Sequence, residues 1–170
     1  MASLITLSPM KVIALIGLHF FVPEKKQKRG ITVDKIKLTL PTKNEYVGLA
    51  RLTIASVADG MGFNIDEVED LKVAITEACA NVIMHSQTSE TTYDLIYSIG
   101  EKELTISVID TGVGFDPEKV AKGELNALQI DSGFGIIIMK LLTDEVNIVS
   151  EKDAGTVVTM KKVLRGNDEI

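Results

Sequence analysis

The chain has 170 residues, 45% of them apolar and 25% charged, the balance of a single globular domain with a real core. Its net charge of −6 is uneven: residues 1–30 hold five Lys/Arg and one Glu, and the remainder holds thirteen Lys/Arg and twenty-three Asp/Glu. That acidic body lacks the basic face that direct nucleic-acid binding requires. The single cysteine, Cys79, excludes an internal disulfide and fits a cytoplasmic, reducing setting.

In chain order, residues 12–22 form an apolar run broken by Gly17 and His19 and followed by a basic stretch, Lys25 to Arg29. The run is shorter than the roughly 20 residues of a membrane span. Lys11 is its only upstream cation and no Ala-x-Ala site follows, so it is a poor secretory signal. Three readings stand: a weak membrane anchor, an extra packed element, or an upstream extension from a misassigned start codon, the last being favoured. Residues 31–166 are expected to be the domain proper, with residues 167–170 as a tail.

Apolar alternation at Ile36, Leu38 and Leu40 predicts a strand over residues 33–40, closed by Pro41. Thr42 with Glu45 is a candidate capping box for a helix to about Asp59, broken by Gly60-Met-Gly62. Asn64 with Glu67 is a second box, opening a helix to about His85 with Val68, Leu71, Ile75, Cys79 and Val82 at helical spacing. Strands over 91–99 and 103–109 form a hairpin around Gly100. Residues 112–132 are polar and too long for a tight turn, as binding loops or lids often are. A helix over 135–142 and a hairpin of 146–150 with 156–164 complete the chain. Strands grouped in hairpins with helices on one face make an α+β two-layer sandwich with a mixed, mostly antiparallel sheet.

Several familiar sites are missing. There is no Gly-x4-Gly-Lys-Ser/Thr loop and no paired CxxC, and His19 and His85 alone cannot make a multi-histidine metal site. Four segments do carry chemistry-bearing residues. Glu77, Asn81 and His85 share one helical face. Most such triplets are solvated surface, but an Asn amide oxygen is a neutral hard ligand suited to magnesium already bound by phosphates. Glu77, one turn away, could take a proton or orient a nucleophile. Asp110 closes an apolar strand and needs a donor, such as an adenine amine, while Gly112 and Gly114 allow close approach of a flat ring; the plain alternative is an Asp-Thr-Gly turn. Gly133 and Gly135 are expected to open a helix whose backbone N–H groups favour an anion, or else simply to mark its junction. Thr156 follows Gly155 at the start of the last strand, where β propensity alone also explains it.

In this order the four segments resemble the GHKL ATPase superfamily: its N box, two glycine boxes and closing Gly-Thr strand. The runs from Tyr46 through Thr53, Met61-Gly62, Asp66 through Ala74 and Glu77 through Asn81 are more narrowly similar to RsbW-type anti-sigma serine kinases. The resemblance covers about residues 33–164 and implies a Bergerat-type, histidine-kinase-like ATPase pocket. It implies Asn81 as the Mg²⁺ ligand, Asp110 as the adenine reader, and Gly112 and Gly114 as the pocket floor. Gly133 and Gly135 would meet phosphate beside a lid over residues 116–132 whose cations are Lys119 and Lys122. Thr156 would join the Asp110–adenine network, and Glu77 would be the catalytic base. It further implies ATP as co-substrate, a homodimer, a bound sigma factor, and an anti-anti-sigma protein phosphorylated on serine. The competing function is a regulatory binding module that uses ATP only to shape its surface.

Overall fold

The computed structural model describes residues 33–85, 92–114, 127–151 and 154–165, with backbone alone for 127–133. Our readings of residues 1–30, the tail, Lys119 and Lys122 lie outside that set. Five strands, β1 (Asp34–Pro41), β2 (Thr92–Ile99), β3 (Glu103–Asp110), β4 (Glu145–Glu151) and β5 (Gly155–Val163), form one sheet in the order β1-β2-β3-β5-β4. All four described pairings are antiparallel. Three helices, α1 (Val47–Met61), α2 (Ile65–His85) and α3 (Ala127–Leu142), cover one face, with α2 packed between the other two. Among the described residues no helix is long and apolar enough to cross a membrane.

The period-two pattern of the strands aims Leu40, Tyr93, Leu95, Tyr97, Leu104, Ile106, Val108, Val158 and Met160 at the helices, where they are buried. Ala74 and Ala78 on α2 carry only a methyl group, so this helix can lie close to the sheet. Ala50, Ile54 and Ala58 of α1 and Met139 of α3 close the core from either side.

Helix boundaries follow local chemistry in one case and depart from it in two. At the start of α2 the Glu67 N–H donates to Asn64 Oδ1 at 2.9 Å and the Asn64 N–H to Glu67 Oε2 at 3.0 Å, the reciprocal capping box expected. The Thr42–Glu45 box does not form. A 3₁₀ turn at Asn44–Tyr46 leads into α1 instead, and neither entry makes a side-chain cap. Gly60 lies inside α1 rather than breaking it. The helix stops at Gly62, whose φ of 93° lets its N–H return to the Ala58 and Asp59 carbonyls. Pro41 ends β1 from within the strand, a position open to proline because β1 is an edge.

Candidate functional site

The site begins at the last inward-facing row of the sheet. Register places Asp110 of β3 opposite Thr156 of β5, and Thr156 opposite Ser150 of β4. One row deeper the same positions hold Val108, Val158 and Ile148, so the polar triplet replaces an apolar one where the sheet ends. Burial pushes the Asp110 carboxyl above its ordinary range, while N–H donation from Gly112 and Thr156 partly offsets that. The Gly112 bond is 2.8 Å long. Asp110 is thus held in place by backbone donors, with oxygen lone pairs left for a ligand. The Thr156 side chain, 8% exposed, turns to Ser150, 2.9 Å between hydroxyl oxygens.

Two glycines lock the loops on either side of this row. Gly114 has a φ of 62°, and a β-carbon there would overlap the Glu151 carbonyl group and lie 3.1 Å from the Gly155 oxygen. Gly155 has a φ of 93°, and a β-carbon there would overlap the Asp110 carbonyl and lie 2.7 Å from Thr111 Cα. Each glycine makes room for the other's loop, so the Asp110–Gly114 segment is set by direct contact with the β4–β5 turn. The sequence expectation gave Gly114 to a ligand; its own chain already fills the space beside it.

The second group lies where α3 crosses α2. A β-carbon on Gly135 would lie 3.1 Å from Glu77 Oε2, 3.4 Å from Asn81 Nδ2 and 3.5 Å from Asn81 Oδ1. Gly135 is buried at this crossing, and the two polar side chains occupy the space its missing side chain leaves. Beside them the Arg51 guanidinium of α1 donates to Thr76 Oγ1 at 3.1 Å, tying α1 to the same turn of α2. His85, half-buried at the helix end, is held toward its neutral form by burial. The Gly-Phe-Gly run does not open its helix: α3 starts at Ala127, eight residues before Gly135, so Gly133 and Gly135 are interior positions. Ala127, Leu128 and Gln129 are good helix formers and carry the helix through the two glycines. The expectation that Gly133 and Gly135 open a helix is therefore corrected: both lie within it, and Gly135 sits at the crossing with α2.

A buried seam relates the two groups. Asp94 pairs with Ile109, so Tyr93 lies at the Asp110 end of the sheet. The Tyr93 hydroxyl is buried without a hydrogen bond of normal geometry, and the Cys79 thiol of α2 is the polar group it faces. Cys79 lies between Glu77 and Asn81 in sequence, which sets that stretch of α2 over the Asp110 end. Ser150 had no role in the sequence reading, and Gly155 entered it only as the residue before Thr156 in the closing Gly-Thr strand. The available signal for Ser150 was its polarity in the inward alternation Val146, Ile148, Ser150.

The family model described as "Histidine kinase-like ATPase domain" matches residues 40–162. Curated relatives named serine-protein kinase RsbW include one from Bacillus licheniformis, 37% identical over 140 residues, covering 77% of this chain and 86% of the relative. Another, from Halalkalibacterium halodurans, is 32% identical over 144 residues and covers 81% and 87% respectively. Among solved structures, one containing RsbU and RsbW domains from Mycobacterium tuberculosis matches with a TM-score of 0.60 at 18% identity. It covers 78% of this chain and 33% of that one, a likeness of fold. The family match and these relatives agree: the chain belongs to the histidine kinase-like ATPase family, among its RsbW-type serine-protein kinases.

Proposed function

We propose that this chain is an ATP-dependent serine-protein kinase and anti-sigma factor, which sequesters a sigma factor and phosphorylates a serine of an anti-anti-sigma protein. The observation that carries the kinase reading is the α2–α3 crossing, where Gly135 leaves room for the side chains of both Glu77 and Asn81. Phosphoryl transfer is mostly positioning and charge stabilisation. Glu77 would accept the serine proton and orient the hydroxyl. Asn81 would hold Mg²⁺ through its amide oxygen, and the ion would neutralise phosphate charge when bound. The donor set suits that ion: a neutral amide adds no charge beside the phosphates, and the described residues contain no cluster of three His, Cys, Asp or Glu to compete for it. Asp110 would read the adenine amine, with Gly112, Gly114 and Thr156 shaping the same end of the pocket and Gly133 and Gly135 lining the phosphate side. The protein would work in the cytoplasm as a homodimer.

The test is label transfer from ATP to the anti-anti-sigma partner beside a nucleotide titration. Glu77→Gln keeps shape and removes the base, so transfer should fall about 10²–10⁴-fold with ATP binding retained. Asp110→Asn should weaken ATP binding about tenfold or more, because the amide turns a donor toward the adenine amine. Wild-type transfer rates in Glu77→Gln would remove Glu77 as the base. A wild-type protein that binds ATP and transfers phosphate to no such partner would replace the kinase reading with the binding module.

A further inference from the structure

We propose that the exposed apolar side chains around Glu77, on α2 and α3, form the docking surface for the protein substrate, with Val73 and Phe134 setting its affinity; the inference rests on Glu77 as the base. Among the described residues of these two helices, the exposed large apolar side chains are Ile65, Val73, Met84, Phe134, Ile137 and Leu141. All but Ile65 lie within about two helical turns of Glu77, or of Gly135 beside it.

Helical geometry arranges them in two rows. On α2, Val73, Glu77 and Met84 follow at i, i+4 and i+11, so all three share one face. Val73 is 39% exposed one turn before the base, and Met84 is 52% exposed about two turns after it. On α3, Phe134, Ile137 and Leu141 follow at i, i+3 and i+7, at 65%, 54% and 77% exposure. Phe134 directly precedes Gly135, where a β-carbon would lie 3.1 Å from Glu77 Oε2. Glu77 and Asn81 are themselves partly exposed.

A serine hydroxyl brings little binding energy of its own. A kinase acting on a protein must draw that energy from contacts around the acceptor and use it to orient the hydroxyl. Single exposed apolar side chains are ordinary, whereas rows of them on adjoining helices mark an interaction surface. Phe and Met are enriched in such surfaces. Nucleotide is a poor occupant: these side chains offer no donor to phosphate, and Asp110, the proposed adenine reader, stands at the sheet end. A folded protein presenting its serine from an apolar surface fits both rows, and by covering them it keeps water from Glu77.

The experiment measures label transfer from ATP to the purified anti-anti-sigma protein over a range of its concentration, beside an ATP titration and sedimentation, all on the full-length chain. Phe134→Ser and Val73→Ser should each raise KM for the protein about five- to thirtyfold. kcat at saturating protein, ATP affinity and sedimentation should stay unchanged. Phe134→Leu keeps apolar bulk and should recover most of the loss. Ile65→Ser, at a site 78% exposed but about 18 Å of helix before Glu77, should leave KM unchanged. An unchanged KM in both serine variants, or an equal rise in Ile65→Ser, would overturn the inference. So would a parallel loss of ATP affinity, which places the rows on nucleotide, or altered sedimentation, which places them between two copies of the chain. Glu77→Gln separates the two levels. Wild-type transfer there, or a wild-type chain that transfers nothing to this protein, removes the base reading and the inference together. Lost transfer in Glu77→Gln with an unchanged KM in the serine variants removes the docking surface alone.

Discussion

Gly155 illustrates how one residue can hold two loops. Its φ of 93° is costly for any side chain, and a β-carbon would run into the Asp110 carbonyl. Because the obstruction is backbone, no rotamer change relieves it. Gly155→Ala should therefore destabilise the fold by about 2–4 kcal/mol, from strain and overpacking together. Urea unfolding checks the magnitude, and a loss below about 0.5 kcal/mol would show that the two loops are not in register. At this scale the sequence was legible where bonds are local. Asn64 and Glu67 cap α2 as their spacing indicates, because both partners lie within one turn. Thr42 and Glu45 show the same spacing without the bonds, because the chain takes a 3₁₀ turn after Pro41. Gly155 was illegible in another way: the group that demands a glycine there is Asp110, distant in sequence.

At the scale of elements, the α2–α3 crossing sets stability against function. An alanine at Gly135 gains helix propensity worth about 1 kcal/mol. Its methyl group would sit 3.1 Å from Glu77 Oε2, close enough that flexible side-chain ends must shift by a few tenths of an ångström. Gly135→Ala should hold or raise thermal stability while lowering phosphotransfer at least tenfold, since small misplacement of reacting groups is expensive. A melting curve beside a transfer assay decides it, and wild-type transfer in a stabilised variant would show that the crossing leaves Glu77 and Asn81 unconstrained. The helix itself was read from apolar periodicity and glycine punctuation, which placed its start at Gly135. Propensity in Ala127-Leu-Gln carries it further back, and packing against α2 supplies a reason for the glycines that spacing alone did not contain.

For the molecule as a whole, the two hairpins and the one-sided helix layer follow from turn signals and alternation, and this α+β architecture was the most legible property; the order β1-β2-β3-β5-β4 depends on non-local pairings that those signals do not contain. The polar seam within the core was not. Cys79 is pushed up to about 11 by burial, and Tyr93 and Tyr97 are also raised, chiefly by burial. Raised folded-state values mean that the unfolded chain loses its protons first on going alkaline. Stability is then fully present below the ordinary thiol value of 9.0 and declines as pH rises from there toward 11. The slope should reach about 1.4 kcal/mol per pH unit for the thiol, with the tyrosines adding above their own ordinary value of 10.0. Urea midpoints at intervals from pH 7 to about 10.5 measure this, and a flat profile would mean that the seam admits water.

Asp110 and Thr156 meet because β3 pairs with β5 rather than with the strand that follows it in sequence. The chain must thus bring in its last strand before the Asp110–Thr156 pair, which we propose reads the base, exists. Such non-local closure comes late and slowly in folding. A chain still emerging from the ribosome, or one with β5 detached, lacks that pair. On the proposed base-reading role, nucleotide would reward only the finished sheet: it would act as a latch on the native state, slowing its escape while leaving the speed of the search unchanged.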